Sequence, residues 1–311
     1  MGNAVVRRAA YGLAASVFAI GVAVALRNAP PGILSIELVP ALVVGLVGAP
    51  LQVIVGGLLL RLMTKPVGHT PSLLSASRVA GIGTLSSVFP VSSGTVVRGA
   101  ALGLWGVPPR TVIGSLLVDA AVWTAVALAL SGTALVGIGV HGFGLACIGA
   151  AILAGAPSVG LAALRQGLGY AGGLILLRAA TIVVDLGRLV MCFGALSYPI
   201  TIGQGAVLAA AAPVSSLLFF LPGGLGVREL ATAGFARAAG LEPSAAFLAA
   251  TLNRVLGLVT LLVLELLLSR ISSAALTPTG QAEEGDATLE SWPSVETDDY
   301  KHARKRLDPE R

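Results

Sequence analysis

The chain has 311 residues, 55% of them hydrophobic and only 11% charged, with a net charge of +5 and a mean hydropathy of +0.90. A soluble domain carries about 25% charged residues, so this composition excludes an ordinary water-soluble enzyme or nucleic-acid-binding domain and points to an all-α polytopic membrane protein. The two cysteines, Cys147 and Cys192, lie in apolar runs, where they read as small buried hydrophobes and give neither a disulfide framework nor a metal-ligand spacing. Charge is unevenly spread. Residues 1–270 hold 15 basic and 6 acidic side chains, a net +9, and residues 271–311 hold 5 and 9, a net −4. The basic residues of the body are mostly arginine, which suits bidentate phosphate contact; the alternative is that they hold helix ends on the cytoplasmic side.

Arg7 and Arg8 precede the apolar run 9–26, read as an uncleaved first span, with a signal peptide ending at Ala23-Val24-Ala25 as the alternative. The second span is 38–60, with Pro40 and Pro50 as kink points and Gln52 as its polar exception. Residues 73–105 are apolar but interrupted at Pro90 and Gly94, with Arg98 behind. Proline removes a backbone donor and glycine opens angles that other residues avoid, so this stretch is predicted to form two half-helices in a re-entrant hairpin. Three full spans follow at 111–131, 134–155 and 171–196, the first two joined by a Ser131-Gly132-Thr133 turn. His141, alone among glycines, reads as a packing or hydrogen-bonding residue inside a span. The span 171–196 carries Arg178, Asp185 and Arg188 near one helix face. Embedded charges face a bundle interior or a water-filled cavity, and the bland reading of these three is a buried ion network. A second broken element covers 205–221 and 223–240, and the last span, 244–269, contains Arg254 and Glu265. Residues 1–270 thus form a membrane domain, and 271–311 read as a disordered polar tail.

The stretch that organises the chain is PVSSLLFFLPGGLGVRE, residues 213–229. An apolar run stops at Pro222, crosses Gly223, Gly224 and Gly226, and resumes behind Arg228 and Glu229. Unsatisfied backbone in lipid costs several kcal/mol per group, so such a break survives only when packed in protein or lining a wet cavity. The earlier break resembles it. One runs Ser86-Ser87, Pro90, Gly94, Arg98, and the other Ser215-Ser216, Pro222, Gly226, Arg228; chance likeness in a Gly/Ala-rich chain is the alternative. Three full spans separate the two, so the second copy enters from the opposite side. Paired, Gly/Pro-interrupted segments in two halves of a transporter point to a binding site near the midplane, where half-helix N-termini offer positive charge to anions.

This layout gives about six full transmembrane helices plus two re-entrant hairpins in an inverted repeat. With the N-terminus inside, Arg7, Arg8, Arg61, Lys65, Arg110, Arg165 and Arg270 fall inside, and only Arg27 and Arg237 fall outside. That follows the positive-inside rule and leaves the tail cytoplasmic.

Pro222-Gly-Gly-Leu-Gly-Val-Arg-Glu229, followed by Gly240 and an alanine-rich helix, resembles the signature of the flippase-like family, also known as the lysylphosphatidylglycerol synthase transmembrane region. Phe89-Pro90, Gly94, Val97-Arg98 and Gly106-Val107 are similar to that family's first motif, and the resemblance spans most of residues 10–270. The family's next helix usually carries Glu-Arg-x-x-Asp; this chain keeps Asp119 but has Ser115 and Leu116, which implies that a headgroup is read differently here. The resemblance implies movement of a lipid with a polar, phosphate-containing headgroup, an anionic phospholipid or an isoprenoid-linked lipid, between leaflets of a bacterial plasma membrane. The full-length synthases of that family add a soluble acyltransferase domain. Only about forty polar residues follow the last span here, too few for such a domain, so lysyl-lipid synthesis would be inherited by name only.

The resulting expectation is a non-enzymatic transporter without cofactor or metal. Its substrate-binding residues are Arg98, Asp119, Pro222, Gly223, Gly224, Gly226, Arg228 and Glu229, with Arg178, Asp185 and Arg254 lining or bracing the cavity. Arg98 and Arg228 contact the headgroup, while Glu229 and Asp119 balance them when the site is empty. The structural alternative is that Arg228 and Glu229 merely cap a helix and that Arg254 snorkels or pairs locally. The partner is a membrane lipid headgroup. A competing expectation is a non-transporting subunit that holds a lipid for a membrane-associated glycosyltransferase or synthase and docks through its tail.

Overall fold

A computed structural model describes residues 16, 18–30, 32–33, 36–68, 70–86, 93–217 and 226–275. Pro90, Pro222, Gly223, Gly224, the first span's beginning and the tail beyond Ala275 lie outside the described residues. Among the described residues the chain is all helix, with no strand. The helices are α1 (Phe18–Arg27), α2 (Leu38–Val43), α3 (Ala49–Thr64), α4 (Leu73–Ser86), α5 (Ser93–Leu104), α6 (Pro109–Gly137), α7 (His141–Gln166), α8 (Leu168–Ala195), α9 (Ile202–Leu208), α10 (Ala211–Leu217), α11 (Val227–Ala238) and α12 (Pro243–Ala275). The chain up to Ser269 is one compact unit, and of the second, Arg270–Arg311, only 270–275 are described.

Among the described residues, four helices are long and apolar enough to cross a membrane: Leu38–Val67, Pro109–Gly137, His141–Gln166 and Pro243–Leu268. Their outward faces are apolar, with Leu46, Leu117, Leu153 and Leu262 exposed. A surface of this kind is matched to lipid, and helices meet the lipid requirement that backbone groups be satisfied within the segment. The chain is therefore a multi-pass membrane protein. Helix α8 has the length of a span, 28 residues, but carries Arg178, Asp185 and Arg188.

Local chemistry explains several boundaries. Helices α2 and α3 are continuous through a π-helical turn at Val44–Gly48. It lies just before Pro50, which donates no hydrogen bond and crowds the preceding turn, so the wider winding accommodates the expected kink. The turn expected at residues 131–133 is helical instead: α6 continues to Gly137. Thr133 donates back to the carbonyls of Ala129 and Leu130, and Ser131 donates at 2.9 Å to both Ala206 and Val207. These hydroxyls are consumed without breaking the helix, and the turn falls at 138–140. His141 is thereby the exposed first residue of α7 rather than a mid-span packing residue. Thr201 and Gln204 form a reciprocal capping box that starts α9. Cys147 and Cys192 are buried free thiols.

Both interrupted elements reverse direction. In a straight helix Gly83 and Gly94 would lie about 16 Å apart at 1.5 Å per residue. Here a Cβ added to Gly83 would meet the Gly94 carbonyl oxygen at 3.3 Å and the Arg98 side chain at the same distance, so α5 runs back along α4. Likewise Arg228 and Thr232 of α11 share a small cavity with Leu208, Ala211 and Ala212, which folds α11 back over α9 and α10. Gly94 sits within the first turn of α5, so it serves the close approach of the two arms rather than the interruption.

The two reversals open at opposite ends of the bundle. Pro66, which precedes α4, lines one cavity with Arg110, which follows α5. At the other end Gln204 beside α9 donates to Ala239, just after α11, at 3.5 Å. Asn28 and Ser244 meet at this end at 3.1 Å, and Glu37 donates its backbone N–H to Ala195 at 2.7 Å. Two apolar clusters fill the two ends. Leu60, Met63, Leu102 and Leu174 belong to one, and Ile33, Phe193, Leu208 and Phe247 to the other.

Candidate functional site

Between the two apolar clusters lies a polar layer. Helix α8 threads it, contributing Arg178, Asp185 and Arg188 on its buried face between Leu174 and Leu189. Each takes its partner from a different helix. Arg178 makes a two-pronged ion pair with Asp119 of α6, its Nε donating to Oδ1 at 2.5 Å, and stacks over Trp123 with the guanidinium carbon 5.0 Å from the ring centre. The Asp119 and Arg178 side chains are only 7% and 6% exposed. Arg228 at the start of α11 reaches Asp185, donating to its two oxygens at 2.8 and 2.7 Å. Arg188 donates to the Gln52 side chain on α3 and, at 3.0 Å, to the Asn253 carbonyl on α12.

Glu229 is fully buried. Its carboxylate accepts the Gly226 backbone N–H at 3.0 Å and the Arg254 guanidinium at 3.2 Å. Gly226 has φ +85, a left-handed conformation that favours glycine, and it stands at the cap of α11. The N-terminal charge of α11 is therefore already answered by its own Glu229, so the anion-binding capacity here resides in side chains.

Arg188, Arg228 and Arg254 line a cavity of about 220 Å³. Thr84 near the end of α4 and Ser215 and Ser216 at the end of α10 line it, with Arg228 at the start of α11. Gln52, Arg188, Asn253 and Arg254 complete the polar wall, and Gly257, Leu258 and Leu261 form an apolar side. Described residues that flank both interruptions thus line one hollow. Gln52 and Asn253 stand near the middle of the long helices Leu38–Val67 and Pro243–Leu268, which puts the hollow at mid-height. Arg188 Nε and Asn253 Oδ1 are buried there without a hydrogen-bond partner among the described residues. Buried polar atoms are normally paired, so the wall retains capacity for a polar ligand or water.

Of the residues singled out from sequence, Arg228 and Arg254 line this hollow; Asp185 pairs with Arg228, and Glu229, which also accepts from Gly226, pairs with Arg254. Asp119 and Arg178 form a separate pair. Arg98 lies against Gly83, within electrostatic reach of Asp119 and Arg178, and is not among the residues lining the Arg228 cavity. The two arginines expected at one headgroup therefore belong to neighbouring polar groups. Sequence reasoning missed Thr84, Asn253 and the role of Gln52. A single amide within an apolar span, as at Gln52 and Asn253, was the available signal.

Comparison with curated proteins gives no match, and comparison with solved structures gives none either. Residues 165–264, which carry α8 to α11, the first two thirds of α12 and most of the hollow's wall, match the family model for the lysylphosphatidylglycerol synthase TM region, the family that the motifs resemble.

Proposed function

We propose that this protein binds a lipid whose headgroup carries a phosphate and moves that headgroup between leaflets through the Arg228 cavity, its tails remaining in the bilayer. The observation that supports this most directly is the convergence of Arg188, Arg228 and Arg254 on one hollow at mid-height. A cation at the bilayer centre costs about 2.5–3.5 kcal/mol on insertion scales, so three guanidiniums need anionic company. Asp185 and Glu229 answer two of them. One positive charge remains, which matches the single negative charge of a phosphodiester. Arg98 and the Asp119–Arg178 pair brace the first reversal beside it. The membrane topology we infer has six full spans and two re-entrant hairpins in an inverted repeat, in a bacterial plasma membrane, with the basic ends and both termini cytoplasmic. The protein acts without chemistry of its own, as a passive or ion-coupled transporter.

The test is leaflet exchange of fluorescent phosphatidylglycerol in proteoliposomes. The native protein accelerates exchange over protein-free liposomes. Arg228→Ala slows it about tenfold or more, since a hydrogen bond to a charged group is worth about 1.5–3 kcal/mol. Arg188→Gln, which leaves the Arg228–Asp185 pair intact, slows it as well and guards against a folding artefact. Exchange no faster than in empty liposomes, across several headgroups, would overturn transport and favour a lipid-holding subunit of a glycosyltransferase or synthase.

A further inference from the structure

A second polar hollow lies at the end of the bundle where the first reversal opens. Two adjoining cavities of about 320 and 450 Å³ share Pro66, Arg165, Gln166 and Tyr170. Lys65 lines one, and Arg110 and Ser115 line the other. Three cations from three different helix ends therefore converge, and among the described residues no carboxylate lines either cavity. The site is distinct from the mid-height hollow. Tyr170 and Arg188 are 18 residues apart on α8, about 27 Å along a helix.

The lining specifies the ligand. Lys65, Arg110 and Arg165 supply positive charge at the rim that no carboxylate among the described residues pairs, and such charge attracts a phosphate. Beneath them Gln166 Oε1 is buried without a hydrogen-bond partner among the described residues, and an unpaired acceptor next to cations calls for a ligand that also brings a donor. Ser115 and Tyr170 add hydroxyls on the same wall. We propose that this vestibule is a second binding site, for a phosphate group bearing a hydroxyl, of the kind found in a glycerol phosphate headgroup or in a free polyol phosphate. It does not depend on transport: a lipid can dock there whether or not the headgroup then crosses.

Native mass spectrometry of the full chain, released from detergent with added phosphatidylglycerol, tests this. The native protein retains two lipid equivalents. Arg110→Gln with Arg165→Gln loses one of them, with affinity for that equivalent falling about thirtyfold, since juxtamembrane basic residues act nearly independently. Both side chains are exposed, so the variant keeps its fold, which retention of the other equivalent verifies. Arg228→Gln removes that other equivalent and spares the first, so failure of the vestibule and failure of the mid-height site are distinguishable. If the double variant leaves the lipid count unchanged but abolishes binding of sn-glycerol 1-phosphate, the same phosphate site serves a free ligand. A double variant that binds both probes like the native protein overturns the proposal.

Discussion

Asp119 and Arg178 illustrate how much a single pair contributes when neither member can reach water. Both are more than nine-tenths buried, and Trp123 covers the guanidinium. Breaking a buried pair from one side leaves an uncompensated charge at about 3–5 kcal/mol, whereas replacing both partners by apolar groups is often close to neutral. Asp119→Leu should therefore lower thermal stability in detergent strongly, and Asp119→Leu with Arg178→Met should recover most of the loss. Equal losses in the single and double variants would mean that the pair's geometry, and not its charge balance, holds α6 to α8. The pairing was invisible in the sequence because its members are 59 residues apart and no local spacing links them. Asp185 with Arg228, 43 residues apart, was equally hidden, although the embedding of each charge was plain from its apolar surroundings.

At the scale of elements, the broken helices depend on how closely their arms approach. A Cβ at Gly94 would fall against the Gly83 carbonyl oxygen well inside contact distance, whereas one at Gly103, on the same helix, would meet nothing within 4 Å. Gly94→Ala should destabilise the protein because backbone, not a flexible side chain, must move. Gly103→Ala should be neutral or raise stability by up to about 1 kcal/mol through helix propensity. Thermal unfolding of the two variants separates the cases, and equal melting temperatures would contradict the close crossing of α4 and α5. The existence of this reversal was legible from proline and glycine inside an apolar run. Its exact hinge was not: Gly94 was read as part of the break, yet it packs the arm beyond it. The 131–133 turn failed for the opposite reason, because small polar residues inside a span can bond to their own helix or to a neighbour's carbonyls instead of ending it.

At the largest scale, the described residues up to Ser269 place a charged layer between two apolar clusters. Lys65, Arg110 and Arg165, expected from sequence on one side, are gathered at one end of the bundle. The depth of the polar layer was legible from Gln52 and Arg254 within long apolar helices, but its wall was not, since Thr84, Ser215, Arg188 and Asn253 come from four separate helices. The proposed transport site rests on Thr84, Ser215, Ser216 and Arg228, which flank the two interruptions, meeting in that layer. The most direct test is a Thr84→Cys, Ser216→Cys pair in a chain whose Cys147 and Cys192 are replaced by alanine. Treated in membranes with a short bifunctional maleimide, the pair should cross-link within one chain, and either cysteine alone should not. If both cysteines label singly yet never cross-link, positions 84 and 216 do not share a hollow and the account is wrong.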